Sequence, residues 1–145
     1  MTRDPDLYGS DDTVRRLLHD AHLWFVVGLG DNPQRPAYGV ARMLQQRGRR
    51  IVPIHPAAKP VHGETGYPSI EAAAAELGAP DVVDVFMNPE RAGRAADEAI
   101  AVGAGAVWFQ LEIIDESAAQ RVRAAGIDMV MDRCPAIEWP RLGPA

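Results

Sequence analysis

The sequence predicts an α/β fold, a three-layer sandwich in which helices cover both faces of a mostly parallel sheet of five to six strands. Two observations lead there. Short unbroken apolar runs alternate with stretches whose apolar residues recur at helical spacing. The first run ends in a glycine turn that leads into a helix, the usual arrangement at the carboxyl end of a buried parallel strand.

The elements follow in order. Asp11-Asp12-Thr13 can cap an amphipathic helix through about Asp20, with Val14, Leu17 and Leu18 on one face, packed near the sheet edge. Leu23-Trp24-Phe25-Val26-Val27, ending at Gly28, reads as a strand covered on both faces. Pro36 suits the first turn of a helix that carries Val40, Ala41, Met43 and Leu44 and stops at Gly48. Arg50 to His55 reads as a second strand, and Pro53 removes a ladder donor, which places that strand near an edge or at a bulge. Residues 56–67, with scattered glycine and proline and no period, predict a long loop holding at most one short strand.

Ser69 can cap a helix over Ile70 to Leu77, Val82 to Phe86 reads as a strand, and Asn88-Pro89-Glu90 opens a helix through Val102. Gly105 to Phe109 is the next strand, Asp115 can cap a helix to Ala125, and Gly126 stops it before a last strand, Ile127 to Met131. This βαβ rhythm predicts right-handed crossovers and a Rossmann-like architecture, with ligands beyond the carboxyl ends of the strands. One domain spanning 1–145 is expected, with 1–10 and 136–145 as terminal extensions.

Composition narrows the function. The chain has 145 residues, 47% of them hydrophobic, and a formal net charge of −5 with its arginines scattered, so nucleic acid is not an expected partner. The start has neither the basic region nor the apolar core of a signal peptide, and no apolar run approaches a membrane span; the expected compartment is the cytoplasm. A single cysteine, Cys134, excludes an internal disulfide and any zinc site built on paired thiolates. His19 and His22, or His55 and His62, lack a helpful carboxylate spacing, and no metal site is expected.

The chemistry concentrates at Gly28-Leu29-Gly30. A glycine turn between a strand and a helix lets backbone approach a phosphate, which the unpaired amides at the helix start attract. The plain alternative is a turn that needs positive backbone angles and nothing more. A dinucleotide fingerprint wants a third glycine where Pro33 stands, and an NAD site wants an acid at the end of the second strand, where His55-Pro56 stands instead. His55 and Lys59 would suit a ligand with an extra phosphate on its ribose, as in NADP or coenzyme A.

Other residues read more plainly. Cys134 is expected to be a small buried residue, and Asp84 and Asp132 to reach a backbone amide or an arginine. Trp24 and Trp108 lie in predicted buried strands, while Trp139, in the tail, is expected to meet solvent or a partner.

Taken together, Val26-Val27-Gly28-Leu29-Gly30, Asn32-Pro33-Gln34-Arg35-Pro36, Ile54-His55-Pro56, Tyr67-Pro68-Ser69, Val85-Phe86, Pro89-Glu90, Ala106-Val107-Trp108 and Met131-Asp132-Arg133-Cys134 carry a resemblance. The chain resembles the stand-alone CoA-binding domain proteins, which are similar to the nucleotide-binding domain of the succinyl-CoA synthetase α subunit. The resemblance implies that coenzyme A or an acyl-CoA lies across the carboxyl ends of the strands. Its phosphates would meet Gly28, Leu29, Asn32 and Arg35, with Gly30 and Pro33 in the same turn. His55, Pro56 and Lys59 would face the adenosine, Phe86, Met87 and Pro89 would line the loop after the third strand, and Gln110 would close the neighbouring side. The chain departs from the family at Glu112, where relatives often carry glycine, and at His55, where asparagine is commoner.

By the same likeness the phosphorylated histidine of the synthetase belongs to a second domain, and none of the four histidines here corresponds to it. No catalytic residue is therefore expected. The alternatives are an NADP-linked oxidoreductase or redox sensor, and a docking subunit for a separate synthetase-like partner. Self-association is left open.

Overall fold

The computed structural model describes residues 3–145. Five strands, β1 (Leu23–Val27), β2 (Arg50–Ile54), β3 (Val82–Val85), β4 (Ala106–Phe109) and β5 (Asp128–Val130), form one sheet in the order β2-β1-β3-β4-β5. Every pairing is parallel. The predicted α/β Rossmann-like architecture is thus observed, with five strands.

Period-two alternation sorts the sheet into two buried faces. Phe25, Val27, Val83, Val85, Val107, Phe109 and Met129 share one core with residues of α4 (Ile70–Leu77), α5 (Pro89–Ala101) and α6 (Glu116–Ala124). Trp24, Val26, Val82, Ala106, Trp108 and Val130 share the other with α2 (Asp11–Asp20), α3 (Pro36–Gln46) and α7 (Pro135–Leu142). The helices over the first face contribute mostly alanine, Ala92, Ala95, Ala96, Ala118 and Ala119 among them, so they can lie close to its larger strand residues.

Five helix starts are capped by side chains, the first by Asp4, which accepts from Asp6 N–H. Ser10 accepts from Thr13 N–H, Ser69 from Ala72, Asn88 from Arg91 and Asp115 from Ala118. The cap of α2 is therefore Ser10, one residue before the predicted Asp11-Asp12-Thr13. Of the edge or bulge that Pro53 forecast, the edge is found: β2 is a terminal strand. On its outer side Tyr67 N–H donates to Pro53 O and His55 N–H to Tyr67 O, so the missing donor of Pro53 falls on the open edge, where no strand needs it.

Two expectations are corrected. Trp139 does not meet solvent; it is 4% exposed, because α7 folds back and sets Trp139 and Leu142 against Leu44 and the Trp24 face of the sheet. The guanidinium groups of Arg47 and Arg49 lie 5.6 and 5.2 Å from its ring. At the other end of the chain, α1 (Pro5–Tyr8) buries Leu7 and Tyr8, and Tyr8 Oη donates to Glu116 at 2.7 Å.

Asp84, in register between Val26 and Trp108, is fully buried, and neither of its oxygens has a hydrogen-bond partner. The amide or arginine expected for it is not there, because the residues beside it in the sheet are apolar or aromatic. Burial pushes its carboxyl well above the ordinary value, favouring the neutral form. Among the described residues no helix is long and apolar enough to cross a membrane.

Candidate functional site

The strand order places a topological switch between β1 and β3, since β2 lies to one side of β1 and β3 and β4 to the other. Above the carboxyl ends of these strands opens a cleft of about 1530 Å³. That exceeds the roughly 300–1,000 Å³ usual for small-molecule pockets. Four loops wall it, the turn after β1, His55 to Lys59 after β2, Phe86 to Asn88 after β3 and Gln110 to Ile113 after β4, together with Pro68 to Ile70 and the Glu90 to Glu98 side of α5.

The two glycines of the first turn have different reasons. Gly28 stands at φ +94°, and a Cβ there would lie 2.6 Å from Phe86 O. Its N–H donates to Ile54 O at 2.8 Å, while Phe86 N–H donates to Val27 O at 2.9 Å. The fold itself demands glycine at 28, to let β1, β2 and β3 close at the switch. Gly30 is free of that demand: a Cβ there would meet the His55 ring at 3.5 Å, an ordinary contact. Leu29, between them, is fully buried in the core below.

The turn continues rigidly. Asn32 Oδ1 accepts from Gln34 N–H at 2.9 Å and Asn32 O from Arg35 N–H at 3.1 Å. Helix α3 then begins at Pro36 with Arg35 as its N-cap, and no side chain caps it. Arg35, Pro36 and Ala37 all line the cleft, so the positive end of α3 opens on that space. His55 is oriented by Ala57 N–H, which donates to Nδ1 at 3.1 Å; Nε2 then carries the proton, beside Gly30. Lys59 Nζ lies 3.5 Å from Asp31 Oδ2 across the cleft mouth.

On the far side, Gln110 is 7% exposed. Its N–H donates to Val85 O and its carbonyl accepts from Ile113 N–H, but its Oε1 is sealed from solvent and meets no donor. An unsatisfied buried acceptor costs about 1–3 kcal/mol. Two residues on, Glu112 adopts φ +67°, the left-handed region, and donates its N–H to Asp132 Oδ1 at 2.6 Å. Asp132 is left-handed too, at φ +59°. Burial opposes its ionisation, but the Glu112 N–H and the Arg3 guanidinium outweigh it, and its pKa is lowered. Asp132 was expected to reach a backbone amide or an arginine, and it reaches both.

Of the residues predicted for a ligand, Gly28, Gly30, Asn32, Arg35, His55, Pro56, Lys59, Phe86, Met87 and Gln110 come together around this cleft. Leu29, Pro33 and Pro89 do not line it. Leu29 is turned into the core; Pro89 is the first residue of α5, behind Asn88. Sequence reading passed over Arg91 and Arg94, which line the α5 side, are exposed, and form no ion pair among the described residues. Their spacing of three on the helix after the switch strand was the available signal. Cys134 is buried at the start of α7 and lies outside the cleft lining. Among the described residues no group of three or more His, Cys, Asp or Glu side chains is placed to hold a metal.

Comparison with known proteins gives a family and a fold. A family described as CoA binding domain matches residues 22–140. The Bacillus subtilis (strain 168) protein YneT, itself uncharacterized, is 29% identical over 122 residues, covering 83% of this chain and 87% of YneT. A hypothetical protein from Pyrococcus horikoshii OT3 superposes with a TM-score of 0.87 at 29% identity, covering 98% of each chain. A dinucleotide-forming acetyl-coenzyme A synthetase of Ca. Korarchaeum cryptofilum shares the fold at a TM-score of 0.62 and 16% identity, over 79% of this chain and 26% of that one.

Proposed function

The chain belongs to the CoA-binding domain family, and on that premise we propose that it binds coenzyme A or an acyl-CoA in the cleft above β1 and β3. The observation that carries the reading is Gly30. The fold needs glycine at 28 but not at 30, and the space beside Gly30 is bounded by the uncapped start of α3 and the oriented Nε2–H of His55. A diphosphate there would take backbone amides, a helix dipole and an imidazole donor at once. Arg35 at the same rim supplies a full positive charge.

From that anchor the adenosine end runs toward β2, where Lys59 meets the ribose phosphate that coenzyme A has and NAD lacks. The amide arm runs the other way, past Phe86 and Met87 toward Gln110. In this reading the chain binds and presents its ligand and makes no bond itself.

Thermal-shift and calorimetric titration with coenzyme A, dephospho-coenzyme A, NAD and NADP tests this. A ligand at a hundredfold excess over its Kd stabilises the folded state by about 2.7 kcal/mol. Coenzyme A is expected to give the largest shift, with dephospho-coenzyme A weaker. A larger shift with NADP would favour an NADP-linked enzyme or sensor, and no response to coenzyme A at millimolar concentration would reject the reading.

A further inference from the structure

Gln110 is the one cleft residue that is both more than nine-tenths buried and carries a sealed side-chain atom without a partner. Its backbone is fully used, by Val85 O on one side and Ile113 N–H on the other, so only the carboxamide remains unpaired. A carboxamide offers an acceptor and a two-hydrogen donor side by side, and rotation of its terminal torsion exchanges them. The sealed atom is an acceptor, and an amide N–H is a donor that complements it. Neither a phosphate, which only accepts, nor an alkyl chain would satisfy it.

The turn that holds Gln110 is built to stay in place. Ile113 N–H closes it onto Gln110 O at 3.0 Å, and Glu112 is held left-handed by its 2.6 Å bond to Asp132. Asp132 is in turn fixed by Arg3. Such strain is kept where a shape must be held ready. We propose that Gln110 is the residue that recognises the amide-bearing arm of the ligand, pairing its carboxamide with a secondary amide. Asp132 is the positioning residue that fixes the Gln110 turn from outside the cleft. The assignment rests on the coenzyme A reading, whose ligand carries such an arm.

The test compares two ligands by calorimetry: coenzyme A, and adenosine 3′,5′-bisphosphate, which lacks the arm. Gln110→Met, close in size and apolar at its end, is expected to weaken coenzyme A about tenfold. Affinity for the bisphosphate should stay at the wild-type value, and the ligand-free Tm should not fall, since the variant removes an unpartnered buried acceptor. If the methionine variant fails to fold, Gln110→Glu, which has the same shape and no amide hydrogens, carries the same comparison. Asp132→Ala should reproduce the selective loss, and Asp132→Asn, which can still accept from Glu112 N–H, should restore affinity. Equal losses for both ligands, or unchanged affinity for coenzyme A, would overturn the assignment. Wild-type protein that binds the bisphosphate but not coenzyme A would overturn it together with the coenzyme A reading.

Discussion

The turns after β1 and β4 bound the same cleft and both need a left-handed residue, yet one uses glycine and the other glutamate. At Gly28 the constraint is steric: the Phe86 carbonyl occupies the place a Cβ would take. At Glu112 the side chain is exposed, and the cost is only that of the backbone angle, offset by the bond to Asp132. A glycine forced by contact cannot be replaced, whereas one favoured by angle alone can be, if something outside the turn holds the angle. This is why the chain can carry glutamate at a position whose backbone angle favours glycine.

Three substitutions measure that difference by chemical denaturation. Gly28→Ala brings both the clash and the angle, and is expected to destabilise the fold by about 3 kcal/mol. Gly30→Ala, two residues on, should leave stability within about 0.5 kcal/mol while weakening coenzyme A binding, since its Cβ meets only the His55 ring within the chain. Similar losses of stability at 28 and 30 would erase the distinction. Glu112→Gly relieves a left-handed side chain and should stabilise by about 1 kcal/mol.

The smallest effect is acid sensitivity. Because the folded-state pKa of Asp132 is lowered, its contribution is present above the ordinary carboxylate range and is lost as pH falls through the lowered value. The stability difference between wild type and Asp132→Asn should therefore be under about 1 kcal/mol near neutral pH and vanish in acid. Asp84 works in the opposite direction. Its raised pKa means that stability declines as pH rises from the ordinary carboxylate range toward the raised value, so acid titration is best read as the difference between variants.

Much of the fold was legible because a doubly covered parallel strand reads as a short apolar run, as β1, β2 and β4 do, while Asp84 and Asp128 interrupt the runs of β3 and β5. Pro53 pointed to an edge or a bulge for β2, and the edge is what the fold has. Helix α7 was not: Pro135 and Pro140 break the pattern that would have shown Trp139 and Leu142 on one buried face. The cleft was legible where ligands meet strand ends, at Gly28, His55, Phe86 and Gln110. The inward side chain of Leu29 was not legible, because a turn residue's side chain can point either way and only packing decides. The bond between Glu112 and Asp132 joins two loops that no local pattern connects. The isolation of Asp84 depends on which neighbours three strands bring to it, and those are set by register.

Amide chemical-shift mapping with coenzyme A tests most directly whether the cleft above the β1–β3 switch is the binding site. Titration is expected to move the resonances of Gly30, Asn32, His55, Met87 and Gln110, while those of α6 and α7, away from the cleft, stay in place. Saturable shifts confined to other parts of the surface, or none at these five residues, would contradict it.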